Sequence, residues 1–365
     1  MTDFAARYAR AQSGRRHPIS AAFADMQRFD LDPFQIEGCQ ALEDGSSVLV
    51  AAPTGAGKTI VGEFAIHLAM REPGDKAFYT TPMKALSNQK FRELQEVYGA
   101  DEVGLLTGDT NINGNARVVV MTTEVLRNML YADSPALRGL RYVVMDEVHY
   151  LADRFRGPVW EEVILHLPPA VRLVSLSATV SNAEEFGDWL DTVRGDTEVI
   201  VSETRPVPLE QHVLVRGDLL PLFDDRAGVA TAQVNQELTR IRSPKGATYE
   251  NNRRAMEYRS RGDQERRRPH RGGKRPVRPS TAARIERMDR PQVVELLGRS
   301  NLLPAIFFIF SRVGCDAAVQ QVRRAGVRLT DTAERDEIRA IIDERLQPLQ
   351  DEDLAVLGYW EWREN

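Results

Sequence analysis

Cysteine is almost absent from the chain, which has only Cys39 and Cys315 among its 365 residues. Two cysteines exclude a disulfide framework and a cysteine-rich zinc site. Long apolar runs are also missing, since stretches such as the one from Ala305 to Phe310 fall far short of the roughly 20 residues that span a bilayer. The first twenty residues lack the apolar segment of a secretory signal. These absences predict a cytoplasmic protein without a membrane span.

The composition is that of a globular protein, with 42% hydrophobic and 28% charged residues. The length allows two domains of ordinary size. The net charge of −5 hides an uneven distribution, because residues 241–290 hold sixteen Lys and Arg against six Asp and Glu. One strongly basic segment is therefore set within an otherwise acidic chain.

Short β-rich runs alternate with helical patterns up to about residue 205, which predicts βαβ units and one doubly wound α/β domain with a mostly parallel sheet. Most of the runs are nearly continuously apolar, as expected of strands buried on both faces. The predicted strands are SSVLVA (46–51), KAFYTT (76–81), EVGLLT (102–107), ARVVVMT (116–122), RYVVMD (141–146), VRLVSLS (171–177) and EVIVS (198–202). A helix is predicted from Met83 to Tyr98.

The pattern changes after residue 205. RPVPLEQHVLV predicts one more strand, but the segment from about Arg242 to Pro291 has too few apolar residues to offset the entropy of ordering. Residues 206–300 are therefore expected to be a linker with a disordered, Arg-rich insertion. From residue 301, NLLPAIFFIFSRVGCDAAVQQVRRAG predicts a strand, a turn and a helix that open a second α/β unit. The residues left, up to 365, are too few to complete such a unit.

The stretch AAPTGAGKT (51–59) follows a predicted strand and precedes a helical pattern, which is the context of a phosphate-binding loop. Its glycines allow backbone N–H groups to turn toward phosphate oxygens, and the following helix adds its dipole. Lys58 is expected to reach the β- and γ-phosphates, and Thr59 to bind Mg²⁺. Ala52 stands where the general motif has its first glycine. A plain glycine turn would explain the glycines but not the Lys-Thr pair. The predicted nucleotide-binding residues here are Thr54, Gly55, Ala56, Gly57, Lys58 and Thr59.

RYVVMDEVHY places two acids at the end of a predicted buried strand. A nucleotide site that hydrolyses needs a carboxylate for the metal and a group that orients or activates water. We assign Asp146 to Mg²⁺ and Glu147 to the water, with Lys58 as the third catalytic residue. Taken alone, a pair of acids after a strand could equally cap the next segment, and His149 could be structural.

The motifs taken in order resemble the DEVH-box helicases of superfamily 2, and within them the superkiller-type, exosome-associated RNA helicases and their bacterial relatives. The matching segments begin with FDLDPFQIEGCQALEDGSSVLVAAPTGAGKT and continue with TTPMKALSNQK, LLTGD, MTTEVLRNMLY, MDEVHYLADRFRGPVWEE and SLSAT. IFFIFSR at 306–312 resembles the motif that opens the second motor domain of that family. The resemblance implies an N-terminal extension over 1–24, a first RecA-like ATP-binding domain over 25–205, and the start of a second RecA-like domain over 301–365.

The resemblance also implies roles for single residues. Gln35 would read the adenine edge with Phe29 beside the base, while His149, Ser177 and Thr179 would couple hydrolysis to strand movement. Backbone phosphates of a nucleic acid would contact hydroxyls and helix N-termini at strand ends. The residues expected there are Thr80, Thr81, Thr122 and Thr123. From the residues alone, these threonines could as well be helix caps.

The function expected is that of an ATP-dependent helicase acting with Mg²⁺ on RNA, and the family implies RNA-degradation machinery as a partner. DNA stays open as a substrate, because the sequence contains no recognisable reader of the 2′-hydroxyl. The alternative is a module that binds ATP and nucleic acid without useful turnover. The Arg-rich segment could be an electrostatic arm for nucleic acid or a solvated linker.

Overall fold

The computed structural model describes residues 16–178, 183–215, 217–226, 229–240, 288–346 and 359. The chain divides into two units between Leu209 and Glu210, and each is described by itself. Thr179 and nearly all of the Arg-rich insertion lie outside the described residues.

The first unit is built on one eight-stranded sheet with helices on both faces. Its strands are β1 (Ser47–Ala51), β2 (Lys76–Thr81), β3 (Val103–Leu106), β4 (Asn111–Ile112), β5 (Val118–Thr122), β6 (Leu140–Met145), β7 (Arg172–Ser177) and β8 (Thr197–Val201). The order is β4-β3-β5-β2-β6-β7-β1-β8. Every pairing is parallel except that of β3 with the unpredicted short strand β4. The predicted α/β, RecA-like fold with a mostly parallel sheet is confirmed.

The apolar strands are buried because helices cover both faces of the sheet. The helices of this unit are Pro18–Met26, Pro33–Glu43, Thr59–Arg71, Lys84–Tyr98, Thr123–Tyr131, Gly157–His166 and Ala183–Arg194. Alternate residues of β1 enter different cores: Val48 and Val50 pack with Phe64, whereas Leu49 packs with Trp160. Both faces thus lose apolar surface to water, which is the main favourable term in folding.

The strand order decides which loops become neighbours. The carboxyl ends of β5, β2, β6, β7 and β1 lie side by side at one edge of the sheet. In open parallel sheets, ligands bind at this edge. Apart from Phe29 and Gln35, which precede β1, the predicted site residues lie at the ends of these five strands or in the segments that follow them.

The predicted boundary between an N-terminal extension and the first domain falls inside a helix. Helix Pro18–Met26 runs across residue 24 and buries Phe23, whose ring lies 5.1 Å from that of Phe64. Glu43, at the end of helix Pro33–Glu43, accepts hydrogen bonds from the N–H groups of Ile19 and Ser20 at 3.0 and 2.7 Å. A core contact and a carboxylate cap thus attach residues 18–24 to the first unit, and the domain boundary at residue 24 stays a prediction.

The second unit contains more regular structure than the predicted linker. β9 (His212–Val215) pairs antiparallel with β10 (Asp218–Pro221), and β11 (Phe223–Arg226) with β12 (Val229–Val234). β9 lies within the strand predicted from RPVPLEQHVLV. The helices described here are Gln236–Arg240, Arg290–Arg299, Arg312–Arg324 and Thr332–Leu346.

The strand predicted in IFFIFSR does not form. The predicted helix after it does form, as Arg312–Arg324, but residues 304–309 have no regular structure. Ile306 and Phe308 are each 81% exposed, and Phe310 is fully exposed. The local pattern matches that of β5 or β6, but in the described part of the chain no strand pairs with this segment, and a strand requires a partner for its N–H and C=O groups. None of the helices in the described ranges has the length and apolarity needed to cross a bilayer.

Candidate functional site

The phosphate-loop candidate connects β1 to helix Thr59–Arg71, as the sequence predicts. Gly55 and Gly57 have φ angles of +84° and +79°, in the left-handed region that side chains disfavour. Thr54 and Gly55 are exposed, whereas Ala56 is buried under the turn. The loop thus turns at its two glycines, directly before a helix N-terminus, which is a ready anion site.

Lys58 folds back over the loop. Its Nζ donates to the carbonyl oxygens of Ala52 at 2.9 Å and Pro53 at 3.2 Å. Burial lowers the pKa of Lys58, while the charges of Glu147 and Asp146 act to raise it. The ammonium and the two predicted catalytic acids therefore share one electrostatic neighbourhood, although they come from strands separated by β7.

Gln35 lies beneath the loop rather than open to solvent. It is 3% exposed, and its Nε2 donates to the carbonyl oxygens of Gly57 at 2.9 Å and Ala56 at 3.3 Å. Phe29 precedes helix Pro33–Glu43, which contains Gln35, and is 54% exposed. The contact with adenine assigned to these two residues by resemblance stays a prediction.

The two acids follow β6 directly. Asp146 receives hydrogen bonds on both carboxylate oxygens, from the Tyr79 hydroxyl to Oδ2 at 2.9 Å and from the Glu147 N–H to Oδ1 at 2.9 Å. Glu147 has a φ of +54°, a left-handed conformation that costs a non-glycine residue about 1 to 3 kcal/mol and that clusters at functional sites. Its Oε2 lies 3.3 Å from Nδ1 of His149. The turn after β6 therefore directs three polar side chains to the ligand edge of the sheet.

The donor set fits Mg²⁺ held jointly with a nucleotide. In the described ranges there is no group of three or more His, Cys, Asp or Glu that could hold a metal ion alone. Mg²⁺ is usually bound through one or two carboxylates together with phosphate oxygens. Asp146 supplies a fixed carboxylate, and Thr59 is partly exposed as the first residue of its helix.

Ser177 ends β7, between the two halves of this site. It is 1% exposed, and its carbonyl oxygen accepts from the Ala52 N–H at 3.2 Å. The end of β7 is thereby attached to the start of the phosphate loop through the backbone. The coupling role of Ser177 stays a prediction, and that of Thr179 falls outside the described residues.

The four threonines predicted to contact nucleic acid lie at the ends of β2 and β5, but they are buried. The hydroxyl of Thr80 donates to Val144 O at 3.1 Å, and that of Thr81 to Met83 O at 3.0 Å. Thr122 occupies the N-cap position of helix Thr123–Tyr131 without a side-chain cap hydrogen bond, and the hydroxyl of the fully buried Thr123 has no hydrogen-bond partner among the described residues. The hydroxyls of Thr80 and Thr81 are thus engaged within the protein. Because all four threonines are buried, a phosphate contact at this edge would depend on backbone N–H groups and on neighbouring side chains.

Three polar residues near the site are assigned no functional role from the sequence: Tyr79, Lys90 and Arg156. Nη1 of Arg156 donates to Pro82 O at 2.9 Å, and its Nε lies 4.0 Å from Oε1 of Glu124. Arg156 thus links the loop after β2 to the helix after β5. DRFRGPVWEE contributes to the family resemblance, but nothing in its local pattern indicates which loops Arg156 reaches.

Comparisons with known proteins agree with this geometry. The family model described as DEAD/DEAH box helicase matches residues 32–186, a range that includes Gln35, the phosphate loop, both acids and Ser177.

Two curated relatives match over most of the chain. The "Probable helicase HelY" of Mycobacterium tuberculosis is 61% identical over 340 residues, which cover 92% of this chain and 35% of that protein. The "DExH-box ATP-dependent RNA helicase DExH15 chloroplastic" of Arabidopsis thaliana is 41% identical over 334 residues, covering 85% and 27%. The chain thus spans about a third of the length of these relatives. A solved structure of the Mycobacterium smegmatis helicase Lhr bound to ssDNA and AMP-PNP is 27% identical, with a TM-score of 0.45, and covers 53% of this chain and 28% of that one.

Proposed function

We propose that the chain couples hydrolysis of MgATP to movement along RNA, because residues 32–186 are a DEAD/DEAH box helicase domain of the superfamily 2 type. The observation that carries the proposal is the convergence of Lys58 with Asp146 and Glu147 at one edge of the sheet. A phosphate loop alone would support nucleotide binding, whereas an adjoining fixed carboxylate and a second acid support hydrolysis.

MgATP would supply the phosphoanhydride bond, and the metal would neutralise charge on its phosphates. Lys58 would donate to the phosphates in place of the carbonyl oxygens of Ala52 and Pro53. Asp146 and Thr59 would hold the metal. Glu147, presented by its left-handed backbone, would orient water and accept its proton, with His149 beside the carboxylate.

RNA is the proposed nucleic acid for two reasons. The motif order resembles that of the superkiller-type helicases, and the Arabidopsis relative is named an RNA helicase. RNA would lie over the loops after β2 and β5, next to the Asp146 turn, since the Asp146 N–H donates to Thr80 O at 3.0 Å. The same resemblance supports RNA-degradation machinery as a partner.

Steady-state ATP hydrolysis by the purified 365-residue chain tests the proposal. Turnover is measured alone, with single-stranded RNA and with single-stranded DNA of matched sequence. Glu147→Gln is the test variant, and Glu161→Gln, at an exposed helix position, is the matched control. We expect RNA to stimulate turnover, Glu147→Gln to abolish it while nucleotide binding remains, and Glu161→Gln to match the unmodified chain. ATP binding that responds to neither nucleic acid would contradict the helicase proposal.

A second candidate is a module that binds ATP and nucleic acid without useful turnover. It is favoured by the exposed segment around Phe308, which resembles the opening strand of a second motor domain but pairs with no strand in the described part of the chain. Nucleotide binding that RNA strengthens, with no single-turnover hydrolysis, would select this candidate.

A further inference from the structure

The hydroxyl of Tyr79 lies inside the protein against the predicted metal ligand. Tyr79 is the fourth residue of β2 and is fully buried, and its hydroxyl donates to Oδ2 of Asp146 at 2.9 Å. The Glu147 N–H occupies the other carboxylate oxygen, Oδ1, at 2.9 Å. With a donor on each oxygen, the Asp146 carboxylate is fixed in orientation before any metal arrives.

The ring of Tyr79 is itself held by a buried charge. Nζ of Lys90 lies 5.5 Å from the ring centroid, within the range of a cation–π contact. Lys90 is 8% exposed, and its Nζ lies 3.0 Å from Oε1 of Glu63 and 2.8 Å from Oε2 of Glu93. Glu63 belongs to helix Thr59–Arg71, which begins at the phosphate loop. Tyr79 is therefore fixed with respect to the same helix that presents Lys58 and Thr59.

Packing alone does not explain why residue 79 is a tyrosine. The neighbouring β2 residues Ala77 and Phe78 are fully buried and apolar, and phenylalanine would fill the same ring space. Burying a hydroxyl costs free energy unless it is paired. Here the hydroxyl is paired with a carboxylate assigned to a metal, which is the arrangement of an outer partner that orients a ligand.

We propose that Tyr79 is a positioning residue for the metal site, holding the Asp146 carboxylate in the orientation that binds nucleotide-associated Mg²⁺. Lys90, paired with Glu63, keeps the Tyr79 ring in a fixed position relative to the helix that follows the phosphate loop. This proposal rests on the proposed function, because it assigns Mg²⁺ to Asp146.

Equilibrium binding of a fluorescent ATP analogue to the 365-residue chain tests the role of Tyr79 without using turnover. Binding is measured over a Mg²⁺ titration and again in EDTA. The test variant is Tyr79→Phe, which keeps the ring. The matched control is Tyr98→Phe, at a partly buried tyrosine on helix Lys84–Tyr98. We expect Tyr79→Phe to raise the Mg²⁺ concentration for half-maximal binding about 10-fold, as loss of an outer partner does. Binding in EDTA is expected to stay unchanged, and Tyr98→Phe to match the unmodified chain in both.

A double-mutant cycle shows whether the hydroxyl acts through Asp146. In an Asp146→Asn background, Tyr79→Phe is expected to cause no further change in Mg²⁺ dependence. The proposal is overturned if Tyr79→Phe matches Tyr98→Phe in the Mg²⁺ titration, or if its effect persists unchanged in the Asn background. It is also overturned if Tyr79→Phe weakens binding equally in EDTA, since that indicates general damage to the loop. If nucleotide binding by the unmodified chain did not depend on Mg²⁺, the proposed function would be contradicted as well. Failure of the Tyr79 proposal alone is therefore distinguishable from failure of the proposed function.

Discussion

The side-chain amide of Gln35 joins the start of one helix to the phosphate loop of another element. Its Nε2 donates to Gly57 O at 2.9 Å, while its Oε1 accepts from the Asp32 N–H at 2.8 Å as part of a capping box. Both ends of the amide are therefore engaged with backbone groups. The residue assigned to adenine by resemblance is also a structural support of the loop.

Replacing Gln35 with Ala is expected to weaken both the fold and nucleotide binding. The loss of a capping interaction costs about 1 kcal/mol of unfolding free energy, and the loop carbonyl of Gly57 loses a donor. Urea unfolding and nucleotide titration measure the two effects. Asn88→Ala, at an exposed helix position, is the control and is expected to stay within about 0.5 kcal/mol of the unmodified chain. Unchanged nucleotide affinity in Gln35→Ala would remove the support role.

Gly57→Ala is expected to abolish nucleotide binding for two separable reasons. A Cβ at this position would lie 2.7 Å from Nε2 of Gln35, and the φ of +79° strains any side chain. Gly45→Ala is the matched control, because Gly45 has a φ of +90° but no atom within 4 Å of its added Cβ. Thermal unfolding and nucleotide binding of both variants separate strain from collision. If Gly45→Ala lost binding as severely, the collision with Gln35 would not be the cause.

Glu43→Gln is expected to loosen helix Pro18–Met26. The Glu43 carboxylate accepts from two N–H groups at this helix start, those of Ile19 and Ser20, whereas an amide offers one oxygen and no charge. A cost of about 1 kcal/mol is typical of a lost helix cap. Amide hydrogen exchange at Ile19 and Ser20 reports the change directly. Glu37→Gln, exposed on the same helix as Glu43, is the control and should leave that exchange unaltered.

Lys90→Met is expected to change how stability depends on pH. Burial would by itself raise the pKa of Glu93, but hydrogen bonds from Lys90 and Gln89 bring it below its usual value. A carboxyl with a lowered folded-state pKa adds stability above its unfolded value of about 4.5, and this is lost as pH falls through the folded value. Lys90→Met removes the hydrogen bond and the charge of Lys90 that lower the pKa of Glu93, so the variant should lose less stability as the pH falls.

Urea unfolding near pH 7 and at several values below pH 4.5 measures this difference. Near neutrality we expect Lys90→Met to be less stable by about 1 to 3 kcal/mol, because two carboxylates lose their cation. Toward acid, the unmodified chain should lose more stability than the variant does. Arg92→Met, exposed on the same helix, is the control. Parallel pH curves for Lys90→Met and the unmodified chain would contradict the assigned cause.

Local patterns predicted the elements that are buried on both sides and misjudged those that depend on a partner. β1, β2, β5, β6 and β7 were predicted to within two residues, because continuous apolar runs between turn signals leave few other structures. IFFIF has the same pattern and forms no strand, and the linker contains hairpins that its composition did not indicate. Helix Pro18–Met26 was not predicted from its own pattern, because its cap comes from Glu43, more than twenty residues away.

The sequence by itself determined the order of the chemical groups: a phosphate loop after β1, two acids after β6 and hydroxyls at the end of β7. These features are local, since each needs only a strand end and the next few residues. The tertiary structure alone decided which groups touch. Tyr79 and Asp146 are 67 positions apart, and Gln35 and Gly57 are 22 apart. The first pair meets because β2 and β6 are neighbours in the sheet, and strand order depends on packing over the whole domain. The second pair meets because helix Pro33–Glu43 packs against helix Thr59–Arg71, which begins at the phosphate loop.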